Sequence, residues 1–172
     1  ADLMRRAGIS LVRVAEFAWS RIEPDPGRIE LDWLSEAIDV LAGHGIEVVV
    51  GTPTATPPKW LCDDAAARGE PIFQADYEGR ERGFGTRRHY CHTSRRYRRE
   101  SERIASIVAE RFGTVEAVVA WQIDNEFGCH DTAVCYCPSC RDAFSEWLER
   151  RYGSIAAVNE AWGIYGEAHD AT

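Results

Sequence analysis

Two stretches of this sequence gather residues able to do chemistry. The first is Trp121-Gln122-Ile123-Asp124-Asn125-Glu126-Phe127-Gly128, where an apolar, strand-like run opens into Asn-Glu. A carboxylate placed where a buried strand ends, beside aromatic and apolar side chains, is expected to lose hydration. Desolvation raises its pKa towards the range in which it donates a proton near neutrality. Glu126 is therefore a candidate general acid, and Asn125 offers a neutral donor and acceptor suited to a ligand hydroxyl. The plain alternative for Glu126 is a solvated loop residue. Asp124 is expected to point to the opposite side, because strand side chains alternate.

The second stretch is Cys135-Tyr136-Cys137-Pro138-Ser139-Cys140, three thiols in one tight loop. Six cysteines in 172 residues are few for a disulfide scaffold, and crowding of this kind favours a metal. Pro138 suits the first turn of a following helix, whose N-terminus favours thiolate over thiol. A fourth soft ligand would complete a closed, tetrahedral, structural zinc site with Zn–S distances of ~2.3 Å. Spacing does not choose among Cys91, Cys129, Cys62, His92 and His130 for that place. Disulfide pairing or free thiols are the alternatives.

These residues need a scaffold, and the pattern around them supplies one. Leu3, Met4 and Ala7 share one helical face, and Ile9 to Val14 has strand composition. After a turn at Pro24-Asp25-Pro26-Gly27, Asp32 suits an N-cap for a helix with Leu34, Ala37, Ile38 and Leu41 inward. Ile46 to Val50 is an unalternating β-branched run, the mark of a strand covered on both faces. From Gly51 to about Thr93 runs a long connection whose aromatics (Trp60, Phe73, Tyr77, Phe84 and Tyr90) are too many for a disordered linker. A helix from about Ser94 to Phe112, a strand from Val118 to Ile123, a helix with Phe144, Trp147, Leu148 and Tyr152, and a shorter one from Ser154 complete the order.

Helices and strands thus alternate, which predicts an α/β fold with a parallel sheet and crossover helices. No Gly-rich phosphate fingerprint follows any strand, which disfavours a nucleotide-binding sheet and favours a partial (β/α)8 TIM barrel with its site at the strand ends. A whole barrel needs ~250 residues. The chain is expected to be a piece of one such domain, without its first strand and its later strands, which leaves open whether a leader was lost.

The net charge of -8 and pI of about 5.2 disfavour nucleic acid or an anionic membrane as partner. The arginines at 95, 96, 98 and 99 fit a solvated helix face. No apolar run approaches the ~20 residues of a membrane span. A reducing, cytoplasmic setting agrees with the clustered thiols.

The chain resembles glycoside hydrolase family 42 β-galactosidases. The resemblance is carried by VRVAEFAWSRIEPDPG from Val12, GTPTATPPKWL from Gly51, RRHYC ending at Cys91, WQIDNEFGCHDT from Trp121, CYCPSC from Cys135 and RYGSIAAVNEAWG from Arg151. It implies retaining hydrolysis of terminal β-D-galactose, with Glu126 as proton donor, Asn125 and Arg87 as substrate contacts and Arg13 lining the same pocket. It implies Cys91, Cys135, Cys137 and Cys140 as zinc ligands, leaving Cys62 and Cys129 as buried spare thiols. It further implies a nucleophile beyond Thr172 and a possible homotrimer. Glu16 is the only other carboxylate expected near the mouth, so residues 1–172 alone are expected to be inactive. Trp19, Trp60 and Phe127 are candidate sugar platforms. Two other expectations stay open: a non-catalytic zinc-stabilised binding module, and a barrel glycosidase for another sugar.

Overall fold

A computed structural model describes residues 1–85 and 87–163. Its elements are α1 (Asp2–Arg6), β1 (Leu11–Val14), α2 (Trp19–Ile22), α3 (Asp32–Gly43), β2 (Glu47–Gly51), α4 (Lys59–Ala67), α5 (Arg95–Phe112), β3 (Val118–Gln122), α6 (Pro138–Tyr152) and α7 (Ile155–Trp162). The three strands form one sheet in the order β1-β2-β3, with both pairs parallel. Parallel neighbours require a crossover, and α3 and α5 occupy those places in the chain. This is the repeating unit of a (β/α)8 barrel, as the alternation predicts.

One face of the sheet carries the core. Val48 and Val50 of β2 meet Leu34, Ile38 and Leu41 of α3 and Ile104, Val108 and Phe112 of α5, all buried. The other face is open among the described residues: Leu11 and Val119 are about half exposed. Burial on both faces is the expectation for the Ile46–Val50 strand. Among the described residues, β2 approaches that pattern, whereas β1 and β3 are sheet edges left open on the second face.

Other expectations shift for local reasons. Asp32 opens α3 from its first turn, and Leu31 holds the cap position because its side chain is needed in the core. Asp32 still sits at the positive end of the helix dipole. On α1, Met4 packs against the core while Leu3 is solvent-exposed. The long connection contains a helix that sequence patterning alone did not bring out. Pro58 caps the start of α4, Leu61, Cys62 and Ala65 are its buried stripe, and Gly69 follows with φ +66. Beyond α4, the described residues between 72 and 91 fold back on themselves through the bridges Phe73–Tyr90 and Ala75–Glu81. That hairpin-like segment delivers Arg87, Arg88, Tyr90 and Cys91 to the end of β3.

Candidate active site

β3 ends at Gln122, and the chain then enters a tight turn. Asp124 and Glu126 both lie in the left-handed region, with φ of 56° and 49°. Side chains with a Cβ pay about 1–3 kcal/mol for such a conformation unless their surroundings enforce it. The Gln122 amide contributes by donating to Asp124 O at 2.8 Å and to Asn125 Oδ1 at 3.0 Å.

The turn separates its two carboxylates. Glu126 stands at the rim with 47% of its side chain exposed, whereas Asp124 is buried with 5% exposed. The separation was expected, but it does not come from strand alternation, because the strand is over before either residue. Burial was expected for Glu126, and it falls instead on Asp124. Around Glu126 the structure places Arg87, with Nη1 3.8 Å from Oε2, and His130, with Nε2 also 3.8 Å from Oε2. The Arg87 Nη2 donates towards His130 Nε2 at 3.3 Å, and the guanidinium stands over Phe17 at 5.5 Å. Exposed pairs of this length contribute at most about 1 kcal/mol, so they orient more than they stabilise.

Asp124 is the centre of a network that the sequence did not reveal. Its carboxylate accepts from Thr54 Oγ1 at 3.0 Å, Arg88 Nη1 at 3.3 Å, Tyr90 OH at 3.0 Å, Tyr97 OH at 3.3 Å and Asn125 N at 2.6 Å. Burial first, with the Asp124 charge adding to it, pushes the Tyr90 hydroxyl up, so this group stays a donor. Tyr97 is raised in the same direction, again chiefly by burial. Arg88 continues the network to Thr132 Oγ1 at 3.3 Å, which donates to Cys129 O at 2.6 Å in the loop leading to the cysteines. Arg88 and Tyr90 lie in the motif RRHYC and Thr54 in GTPTATPPKWL, but nothing in their spacing marks them as converging on one carboxylate.

Asn125 is buried beside Glu126. Arg13, at the end of β1, is half exposed, and its Nε donates to Glu16 Oε1 at 3.0 Å. Of the three candidate platforms, Trp19 lies wholly inside the core and donates to Glu23 Oε2, so it is not available to a ligand. Trp60 packs against the core and donates to Glu23 O. Phe127 is exposed next to Glu126.

Four sulfurs gather behind the turn. The Sγ atoms of Cys91, Cys135, Cys137 and Cys140 all lie within 4.8 Å of one another. Cys91 and Cys140 are 3.3 Å apart and Cys91 and Cys137 3.5 Å, with all cysteines unpaired. Cys137 caps α6 with Pro138 in its first turn, as the sequence predicts. Of the five candidates for fourth member, the fold selects Cys91. Burial pushes the Cys91 thiol up, so a metal must displace its proton. Cys62 is the buried spare thiol expected, but Cys129 is exposed, because its loop lies at the surface. Thr93 borders the cluster, its N–H donating to Cys91 Sγ at 3.3 Å, and the four soft donors together can hold a metal ion.

Residues 1–166 match the sequence profile of glycoside hydrolase family 42, described as beta-galactosidase. The chain belongs to glycoside hydrolase family 42. Among its family relatives, it is 59% identical over 163 residues to a beta-galactosidase of Thermus thermophilus, covering 95% of this chain and 25% of that protein. It is 50% identical over 160 residues to beta-galactosidase Bga of Halorubrum lacusprofundi, covering 93% of this chain and 22% of that one. The crystal structure of beta-galactosidase from the psychrophilic Marinomonas ef1 superposes with a TM-score of 0.90 at 47% identity, over 98% of this chain and 26% of that chain. This family 42 chain therefore spans about a quarter of the length of the relatives it matches.

Proposed function

We propose that residues 1–172 form an N-terminal part of the (β/α)8 catalytic domain of a retaining β-galactosidase, without the first strand and the later strands. Glu126 is the general acid/base. In the first step a nucleophilic carboxylate outside this chain attacks the anomeric carbon, the glycosidic C–O bond breaks, and the Glu126 proton passes to the departing oxygen. In the second step water attacks the glycosyl-enzyme, Glu126 takes the water's proton, and galactose leaves with its β configuration kept. Asn125 and Arg87 hold sugar hydroxyls beside the reacting bond, and Arg13 lines the same mouth. The observation that carries this reading is Arg87 at 3.8 Å from Glu126 at the C-terminal end of a parallel strand, in a family 42 chain.

A proton donor works best in a less hydrated setting than Glu126 has within these residues. The remaining barrel strands, with bound substrate, supply that cover.

The four cysteines hold one structural zinc. Tetrahedral Zn–S bonds of ~2.3 Å place sulfurs ~3.8 Å apart, a value that fits the observed cluster. Four thiolates would leave no open position on the ion, so a bound zinc would offset about half of their charge and fix the loop without activating water. It would pin the segment before α5 to the loop that follows Glu126. The protein is expected in the reducing cytoplasm, as a homotrimer when whole. Among the described residues no helix is long and apolar enough to cross a membrane.

Retention is the test. Full-length polypeptide containing this chain, mixed with an aryl β-galactoside and followed by proton NMR, should release β-galactose before mutarotation. First release of the α anomer would overturn the mechanism, and turnover of an aryl β-glucoside or β-mannoside with none of the galactoside would overturn the substrate.

A further inference from the structure

We propose that Asp124 is a positioning residue for Glu126, holding the Asp124–Glu126 turn in its left-handed form through a buried carboxylate. The proposal rests on the assignment of Glu126 as general acid.

Three observations converge on it. First, the turn carrying Glu126 has two residues other than glycine at positive φ, Asp124 and Glu126, so the backbone alone does not favour the shape that presents the catalytic carboxylate. Second, every polar group of Asp124 is engaged, and none of its contacts is with Glu126. Its N–H donates to Thr52 Oγ1 at 2.7 Å, its carbonyl accepts from Gln122, and its carboxylate accepts from Thr54, Arg88, Tyr90, Tyr97 and Asn125 N. Third, apart from its chain neighbours Gln122 and Asn125, those partners come from three separate segments: the stretch just after β2, the folded-back segment before Cys91, and the first turn of α5. A carboxylate needed only to neutralise Arg88 would require one partner. Here one side chain ties the end of β3 to everything packed behind it.

Through this clamp Asp124 sets where the Glu126 carboxylate stands relative to the glycosidic oxygen. Its loss should injure proton delivery and leave sugar binding largely alone. Departure of an alkoxide needs a proton, whereas departure of a dinitrophenolate does not, so the two substrate types separate acid positioning from general damage.

The experiment compares kcat/KM for a methyl and a dinitrophenyl β-galactoside, using the full-length polypeptide and its Asp124→Asn and Glu126→Gln variants. A displacement on the ångström scale can cost about 10²-fold, so Asp124→Asn should lose roughly that on the methyl substrate and less than about tenfold on the dinitrophenyl one. Glu126→Gln should show the same selectivity more strongly. Equal losses on both substrates for Asp124→Asn, or none, overturn the positioning role while Glu126→Gln remains selective. Absence of selectivity in Glu126→Gln overturns the acid assignment itself. If Asp124→Asn does not fold, Thr52 carries the test: Thr52→Val, which removes the acceptor for Asp124 N–H, should be selective against the methyl substrate, and Thr52→Ser should restore it. Equal activity of the Val and Ser variants on the methyl substrate would contradict the clamp.

Discussion

Gly51, the last residue of β2, lies against the backbone of Glu16, and a Cβ placed on it would stand 2.7 Å from Glu16 Cβ and 2.9 Å from Glu16 Cα. The obstacle is the root of a side chain and its backbone, so no flexible end can move aside. Gly51→Ala should therefore destabilise the protein by about 1–3 kcal/mol, as overpacking does. It should also shift Glu16, whose carboxylate fixes Arg13. Urea unfolding of the variant beside the wild type checks the first effect, and an unchanged midpoint would mean the contact relaxes freely. At this scale the motif residues were legible: Glu126, Asn125 and Arg87 do come together, and the thiols of Cys91, Cys135, Cys137 and Cys140 do converge. Burial was not legible. Local sequence cannot distinguish which of two acids two positions apart faces solvent, because that depends on Thr54, Arg88, Tyr90 and Tyr97 arriving from elsewhere in the chain. Nor could composition tell a sugar-stacking tryptophan from Trp19, which the core consumes.

At the scale of elements, α5 brings Tyr97 to the buried network, and its first turn depends on Ser94. The Ser94 hydroxyl accepts from Tyr97 N at 3.4 Å and donates to Pro71 O at 2.9 Å. Ser94→Ala should cost about 1 kcal/mol, measurable as a lower unfolding midpoint. On α4, burial raises the Cys62 thiol to about 11 from its ordinary 9.0, with Asp63 adding to the effect. Between those values the folded chain keeps a proton that the unfolded chain has released, so stability from this group falls as pH rises from 9 to 11. Wild type should therefore lose stability relative to Cys62→Ala across that window, and parallel curves would contradict a neutral, buried thiol. The long helices and the parallel strands followed from periodicity and β-branching. Helix α4 did not, since its Pro-rich start and charged surface read as a loop until its apolar stripe was seen packed.

At the scale of the molecule, the described residues make a three-stranded sheet with one covered face and one open face. An α/β order and a barrel-type unit were legible because alternation leaves few topologies. The proposed mechanism draws its nucleophile from outside this chain, so residues 1–172 purified alone should show no galactosidase turnover, even if they fold. Metal analysis of the full-length polypeptide should give about one zinc per chain. Its removal by a chelator should lower the melting temperature, because a site that binds the folded state stabilises it; an unchanged melting temperature would make the cysteine cluster a thiol cluster only. The most direct test concerns Glu126 itself, in the turnover of an unactivated β-galactoside by the full-length polypeptide and its Glu126→Gln variant at matched folded concentration. General acid catalysis predicts a fall in kcat/KM of about 10²-fold or more, and a variant within about twofold of wild type would contradict the role of this carboxylate.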